Sequence, residues 1–209
     1  MNFHIERGGR ALDMPLNVGP RLLLVLAAAL ICASFAIPFW RLTVSVSDSP
    51  ASAVSAVTSY GYRLGLGADG REIAASTGAP WTRHDAAPPA WISVGVAFMA
   101  LFFARVAILG TTRSLIDASV LYVFVGVASL WSFATRLAAV GRSGSPGHAP
   151  ASIGNVLFGQ WNDGSVRFAA SPGAGAGVLL AVLAVLVAAL FVSWRSTREE
   201  LSADLVVAG

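Results

Sequence analysis

Long apolar runs alternate along the chain with stretches in which polar residues return. Four of these runs are long and apolar enough to cross a bilayer, whose hydrocarbon core takes about 20 helical residues. The first, 22–40, contains 19 residues and would extend about 28 Å as a helix. The pattern predicts an all-α membrane bundle of four transmembrane helices in one domain, 1–209. Their expected bounds are about 22–40, 90–110, 115–139 and 175–194.

A second pattern begins where the first apolar run ends. From Leu42 to Ser47, apolar and polar residues alternate, which is the period of a half-buried strand. The rest of the loop 41–89 contains a helix-start signal at Ser49-Pro50 and another alternating run at 60–66. We therefore expect a first and a second strand here with a short helical turn between them at 51–57, then a turn at 67–70 and a returning strand at 71–75.

The second long loop, 140–174, has a similar pattern. An apolar run at 153–161 is followed by Asn162-Asp-Gly164, a sequence favoured at hairpin turns. Isolated hairpins are marginal in water, whereas strands from two loops can pool into one sheet. The sequence therefore predicts a small extracytoplasmic β-sheet, built by both loops, on the helical bundle.

Composition supports a location in the lipid bilayer. The chain of 209 residues is 56 % hydrophobic and only 12 % charged, against about 25 % charged residues in soluble domains. The net charge of +3 is spread over many segments, so no basic run for binding nucleic acid is present. Cys32 is the sole cysteine, which excludes an intramolecular disulfide and a thiolate metal site.

Arginine density sets the expected orientation. The side with both termini and the short loop carries seven arginines, and the side with the two long loops also carries seven. The arginines on the termini side lie in shorter segments that are closer to the spans. The positive-inside rule weights such segments most. We therefore expect a multi-pass cell-membrane protein with both termini cytoplasmic and the long loops 41–89 and 140–174 extracytoplasmic.

Two charged residues fall within the predicted spans. Arg105 and Asp117 lie at equal distances from residue 111, the middle of the short loop. Antiparallel helices would bring them to the same depth, so we predict a structural salt bridge or hydrogen bond between them, with part of a proton or ion path as the alternative.

Small residues follow one face of two predicted helices. Such stripes allow close helix approach, so packing of the first helix against the fourth is expected, with homo-oligomerisation as the alternative. The stripes are Gly177, Ala181, Ala184 and Ala188 on the fourth helix, and Ala29 and Ala33 on the first.

Candidate chemistry is confined to the long loops. His84, Asp85 and His148 are residue types that bind zinc or copper, but nothing in the sequence fixes their spacing. Nucleophile elbows, P-loops and HExxH motifs are absent from the sequence, so we expect no enzyme and no cofactor. A small membrane metal-handling protein or enzyme using these three residues is the alternative.

The order of elements resembles the claudin-like four-transmembrane superfamily, which includes claudins and peripheral myelin protein. Pro38-Phe-Trp-Arg41 is similar to the entry of that family's first outer loop, and Tyr60-Gly-Tyr-Arg-Leu-Gly-Leu66 stands where the family has a Gly-Leu-Trp segment. The chain lacks the family's cysteine pair. The resemblance implies four spans with an outer sheet and a structural role for Trp40 at the junction.

These features predict a non-enzymatic accessory or assembly subunit of a membrane complex, or a surface adhesion or scaffold module. An oligomeric channel-like protein is a further alternative. The expected partners are the lipid bilayer and other membrane-protein subunits or a second copy. Aromatic residues of the loops, Tyr60, Tyr62 and Trp161, are candidates for a protein interface.

Overall fold

The structure, a computed structural model, describes residues 13–46, 52–58, 61–66, 90–143, 153–163 and 166–207. The helices are α1 (Val18–Ser34), α2 (Ala90–Leu109), α3 (Thr112–Ser143), α4 (Ile153–Phe158) and α5 (Ala174–Val207). The strands are β1 (Trp40–Val46), β2 (Ser52–Thr58), β3 (Gly61–Leu66), β4 (Gln160–Asp163) and β5 (Val166–Pro172).

The described residues divide into two compact units. The helical unit is drawn from Met1–Cys32, Val96–Val125 and Leu179–Gly209, and the sheet unit from Ala33–Gly95 and Gly126–Val178.

Within the described ranges, three helices are long and apolar enough to cross a membrane: Ala90–Leu109, Thr112–Ala139 and Ala174–Arg198. The first predicted span is shorter than expected, because α1 begins at Val18 and ends at Ser34 after 17 residues. Pro38 lies just beyond, and the residue before a proline is disfavoured in helical geometry. The end predicted for the first span, at residue 40, was therefore wrong. That α1 crosses the membrane as a further span stays a prediction.

In the helical unit, a short turn joins α2 to α3. Only Gly110 and Thr111 separate the two helices. The amide of Thr111 donates to Ser114 Oγ at 2.7 Å, and the amide of Ser114 donates to Thr111 Oγ1 at 3.4 Å. This reciprocal pairing caps the start of α3.

The segment before α1 is fastened to this turn. The amide of Leu16 donates to the carbonyl of Gly110 at 3.2 Å, and the amide of Thr112 donates to the carbonyl of Met14 at 3.1 Å. Arg21 also donates from Nε to the carbonyl of Leu16 at 2.8 Å. The start of α1 is thereby fixed against the α2–α3 turn.

The predicted small-residue stripes do not form the core of the helical unit. All six positions are exposed, whereas other positions of α1 and α5 are buried in a shared cluster with α2 and α3. Because α5 is apolar around most of its circumference, the spacing of its small residues does not show which side of the helix is buried. The buried residues from α1 and α5 are Leu24, Ala27, Ile31, Val182, Leu186 and Ala189.

The sheet unit contains a five-stranded sheet in the order β3-β2-β1-β5-β4. All four pairings are antiparallel. The central strand β1 pairs with β2 on one side and, across the two loops, with β5 on the other. The predicted pooling of strands from both loops is therefore confirmed. The turn predicted at 67–70 and the returning strand predicted at 71–75 lie outside the residues that the structure describes.

Two local predictions within the loops were wrong. Ser52–Thr58 forms β2 instead of a helical turn, because β1 offers an open edge and Val54, Val57 and Thr58 are β-branched. Ile153–Phe158 forms the short helix α4 instead of a strand. A short apolar run does not distinguish helix from strand by periodicity.

Candidate functional site

The sheet is connected to the helices at two junctions that lie side by side. One joins α1 to β1 through Ile37–Phe39, and the other joins β5 to α5 through Gly173. The amide of Gly173 donates to the carbonyl of Phe39, and the amide of Gly175 donates to the carbonyl of Pro38, both at 2.9 Å. These hydrogen bonds continue the β1–β5 pairing beyond Trp40 and Pro172.

The approach of the two junctions requires a glycine. A Cβ atom on Gly173 would stand 2.1 Å from the carbonyl oxygen of Pro38 and 2.8 Å from its carbonyl carbon. Any side chain at position 173 would therefore push the two backbones apart.

Trp40 is a core residue of the sheet unit. It is 2 % exposed, and its ring packs edge-on against Phe133 at 5.8 Å between centroids. Phe39 meets the same Phe133 ring at 5.0 Å. The Trp40 Nε1 is buried without a hydrogen-bond partner among the described residues. Among the described residues, the ring contact with Phe133 is therefore the interaction that positions Trp40.

Strands β1 and β5 present one buried and one solvent-facing side. On β1, Leu42 is fully buried, whereas Arg41 is exposed and Thr43 is partly exposed. On β5, Phe168 is buried and Arg167 is exposed. This alternation is the period-two pattern of a half-buried sheet.

We name the solvent-facing side of β1, β5 and β4 the polar face. Its residues pair across strands in three rows: Arg41 with Ser171, Thr43 with Ala169 and then Gln160, and Ser45 with Arg167 and then Asn162. All eight side chains are exposed or partly exposed.

The polar face carries positive charge without a matching carboxylate. Its eight residues include two arginines and no Asp or Glu. Arg167 is held by a hydrogen bond from Nη2 to Gln160 Oε1, and Ser45 Oγ donates to the Arg167 carbonyl at 3.5 Å. Arg41 stands between Ala56 and Ser171, neither of which bears charge. Both arginine side chains are exposed, and no carboxylate stands beside either of them in the described strand pairing.

Of the predicted interface aromatics, only Trp161 has a described side chain, and it does not lie on the polar face. Trp161 is paired with Phe168 and stacks on it at 5.2 Å with an interplanar angle of 5°. It is half-buried and belongs to the opposite, packed side of the sheet. Tyr62 lies in the edge strand β3, and Tyr60 falls outside the described residues.

The structure does not bring the predicted charge pair together. Arg105 and Asp117 are both exposed on their helices, and no ion pair joins them in the described chain. Equal distance from the turn fixes the depth of two residues but not the sides of the helices on which they lie.

The candidate metal ligands His84, Asp85 and His148 lie outside the described residues. Among the residues that are described, no group of three or more His, Cys, Asp or Glu side chains is placed to hold a metal ion. The metal site stays a prediction, which metal analysis of the purified protein with His84→Ala and His148→Ala controls would test.

Sequence reasoning missed the two arginines of the polar face. The signal was present, because the alternation that runs from Leu42 to Ser47 extends back to Arg41, and a similar alternation relates Arg167, Ala169 and Ser171. What the sequence did not supply is the β1–β5 pairing that brings these residues onto one surface.

Comparison of the chain with protein-family models finds no match, and comparison with curated proteins finds none either. The resemblance to claudin-like proteins therefore stays a prediction.

Proposed function

We propose that the protein is a non-enzymatic, multi-pass membrane protein that presents the polar face to another protein. It serves as an accessory or assembly subunit of a membrane complex, or as a claudin-like surface adhesion or scaffold module. Both termini are cytoplasmic, and the sheet is extracytoplasmic.

The helices support the membrane part of this proposal. Three are long and apolar enough to cross a bilayer, and their exposed positions include many large apolar side chains such as Phe98, Phe124 and Phe191. Contiguous apolar surface of this kind is expected to face lipid or other spans.

One observation carries the proposal of protein contact. Strands from two separate loops combine into one sheet, and its polar face exposes arginines and small polar residues while its other side is packed. A sheet supported in this way is a rigid platform, and arginine is enriched in protein interfaces.

Site-specific photocrosslinking tests this function. The photoreactive residue p-benzoylphenylalanine replaces Thr43, at the middle of the polar face, and in a matched control it replaces Val123, which is 48 % exposed on α3. We expect a discrete protein adduct from position 43, at stoichiometric yield, that position 123 does not give. Correctly inserted protein that gives no adduct from positions 43, 169 and 171 would contradict the proposal.

Sidedness is tested separately by thiol labelling. In a Cys32→Ser background, Ser171→Cys should react with a membrane-impermeant maleimide in intact cells, because Ser171 is exposed on the sheet. Labelling that appears only after the cells are lysed would place the sheet in the cytoplasm.

A further inference from the structure

The polar face has a charge pattern that defines the chemistry of its partner. We infer that it binds an extended acidic segment of the partner protein, whose carboxylates pair with Arg41 and Arg167. This inference rests on the proposed function, since it names the chemistry of the contact that the photocrosslinking experiment detects.

Within the described strands, no carboxylate is paired with Arg41 or Arg167. Sheets commonly place opposite charges on facing positions, but Arg41 faces Ala56 and Ser171, and Arg167 faces Ser45 and Asn162. The small side chains at positions 45 and 171 leave room for an incoming chain beside the guanidinium groups. A guanidinium presents paired N–H donors that match the two oxygens of a carboxylate.

Register adds a third arginine to the same row. Position 63 of β3 pairs with Ala56, which pairs with Arg41. Positions in one such row share a face of the sheet, and two strand spacings separate positions 63 and 41 by about 10 Å. Position 63, an arginine in the sequence, therefore occupies the same row of the sheet as position 41.

The spacing of the arginines fits an extended segment. Arg41 pairs with Ser171, which lies four residues from Arg167 on β5, or about 14 Å along the strand. An extended partner chain covers the same distance between carboxylates four residues apart. The sheet measures about 20 Å by 20 Å, or roughly half of the ~800 Å² that one partner contributes to a standard interface. That area suits a segment and not a whole domain face.

Direct binding of a defined acidic probe tests the inference. Fluorescent decaglutamate is titrated against the full-length protein in detergent micelles, with decalysine as the control peptide. Wild-type protein should bind decaglutamate only, and more weakly at high salt, because exposed ion pairs are screened. Arg41→Gln combined with Arg167→Gln should weaken binding about fivefold or more, whereas Arg113→Gln, which removes an exposed arginine from α3, should not.

A second variant separates loss of binding from loss of folding. Ser171→Asp keeps both arginines and supplies a carboxylate at the position paired with Arg41, so it should also weaken decaglutamate binding. Circular dichroism and gel filtration establish that each variant remains folded.

Three results would overturn the inference. The first is equal decaglutamate affinity in wild type and in the double arginine variant. The second is that the wild-type protein binds phosphatidylglycerol vesicles in an Arg41-dependent way but does not bind decaglutamate. That result would identify the partner as a lipid surface. The third is an unchanged photocrosslinked adduct from position 43 in the double variant. The third result would leave the proposed function standing, whereas absence of any adduct in wild type would remove it.

Discussion

Replacing Gly173 with alanine should disrupt the point at which the sheet is joined to the helices. The added Cβ would stand 2.1 Å from the Pro38 carbonyl oxygen, and relief to the 3.0 Å that real Cβ contacts require means a displacement of 0.9 Å. Both neighbouring hydrogen bonds, to the carbonyls of Phe39 and Pro38, have lengths of 2.9 Å. A displacement of that size would break them.

The magnitude follows from these contacts. Overpacking of a well-packed site costs about 1–3 kcal/mol, and each lost hydrogen bond costs about 1 kcal/mol net. The free energy of unfolding should therefore fall by about 3–5 kcal/mol. For a chain of this size, each kcal/mol corresponds to about 2–4 °C, so Tm should fall by about 10 °C.

Two further glycines complete the experiment. A Cβ on Gly177 meets nothing within 4 Å, so Gly177→Ala should be neutral or should stabilise the helix by about 0.5–1 kcal/mol. A Cβ on Gly175 would stand 2.8 Å from the Ile37 carbonyl oxygen, so Gly175→Ala should lie between the other two variants. Thermal unfolding in detergent measures the series. A Gly173→Ala protein as stable as Gly177→Ala would refute the close approach of the two junctions.

Substitutions at three further positions test packing, at the first two by the same thermal assay and at the third by folded yield. Trp40→Phe should change the free energy of unfolding by no more than about 1 kcal/mol, because it removes a buried donor that has no partner among the described residues. Trp40→Ala should cost about 3–5 kcal/mol, and equal losses from the two variants would contradict this. Tyr122→Phe should cost about 1 kcal/mol by removing the 2.7 Å hydrogen bond from Tyr122 Oη to the Leu179 carbonyl, and an unchanged Tm would contradict that contact. Ala184→Leu should leave the folded yield unchanged because Ala184 is exposed, and misfolding would show that it packs within the chain.

The sequence was most informative where one periodicity persists over a long segment. Hydropathy located the helices α2, α3 and α5, and alternation located β1 and β3. The bundle of three long apolar helices with an antiparallel sheet was therefore predictable, and so was the sharing of the sheet between loops, since isolated hairpins are marginal.

Prediction failed where a short segment depends on its neighbours. Ser52–Thr58 is a strand because β1 provides its hydrogen-bonding partners. The local helix-start signal at Ser49-Pro50 carries no information about this partner strand. The same limit applies to Arg105 and Asp117, because their depth is set by the chain but their sides of the helices are set by packing.

The candidate surface illustrates this limit most clearly. Arg41 and Arg167 are 126 residues apart in the chain, and only the β1–β5 register places them on one face. Alternation shows that each residue belongs to the solvent side of its own strand. Only the structure shows that β1 pairs with β5.

Pairing of β1 with β5 is the most direct test of a sheet shared by the two loops. In a Cys32→Ser background, Thr43→Cys and Ala169→Cys occupy directly paired positions, with a Cα separation of about 4.5–5.5 Å that suits a disulfide. Thr43→Cys with Gln160→Cys is the control, because position 160 lies one strand further away in the same row, at about 10 Å. Mild oxidation should give an intramolecular disulfide between positions 43 and 169 and not between 43 and 160. Failure to crosslink 43 with 169, or equal crosslinking of both pairs, would contradict the shared sheet.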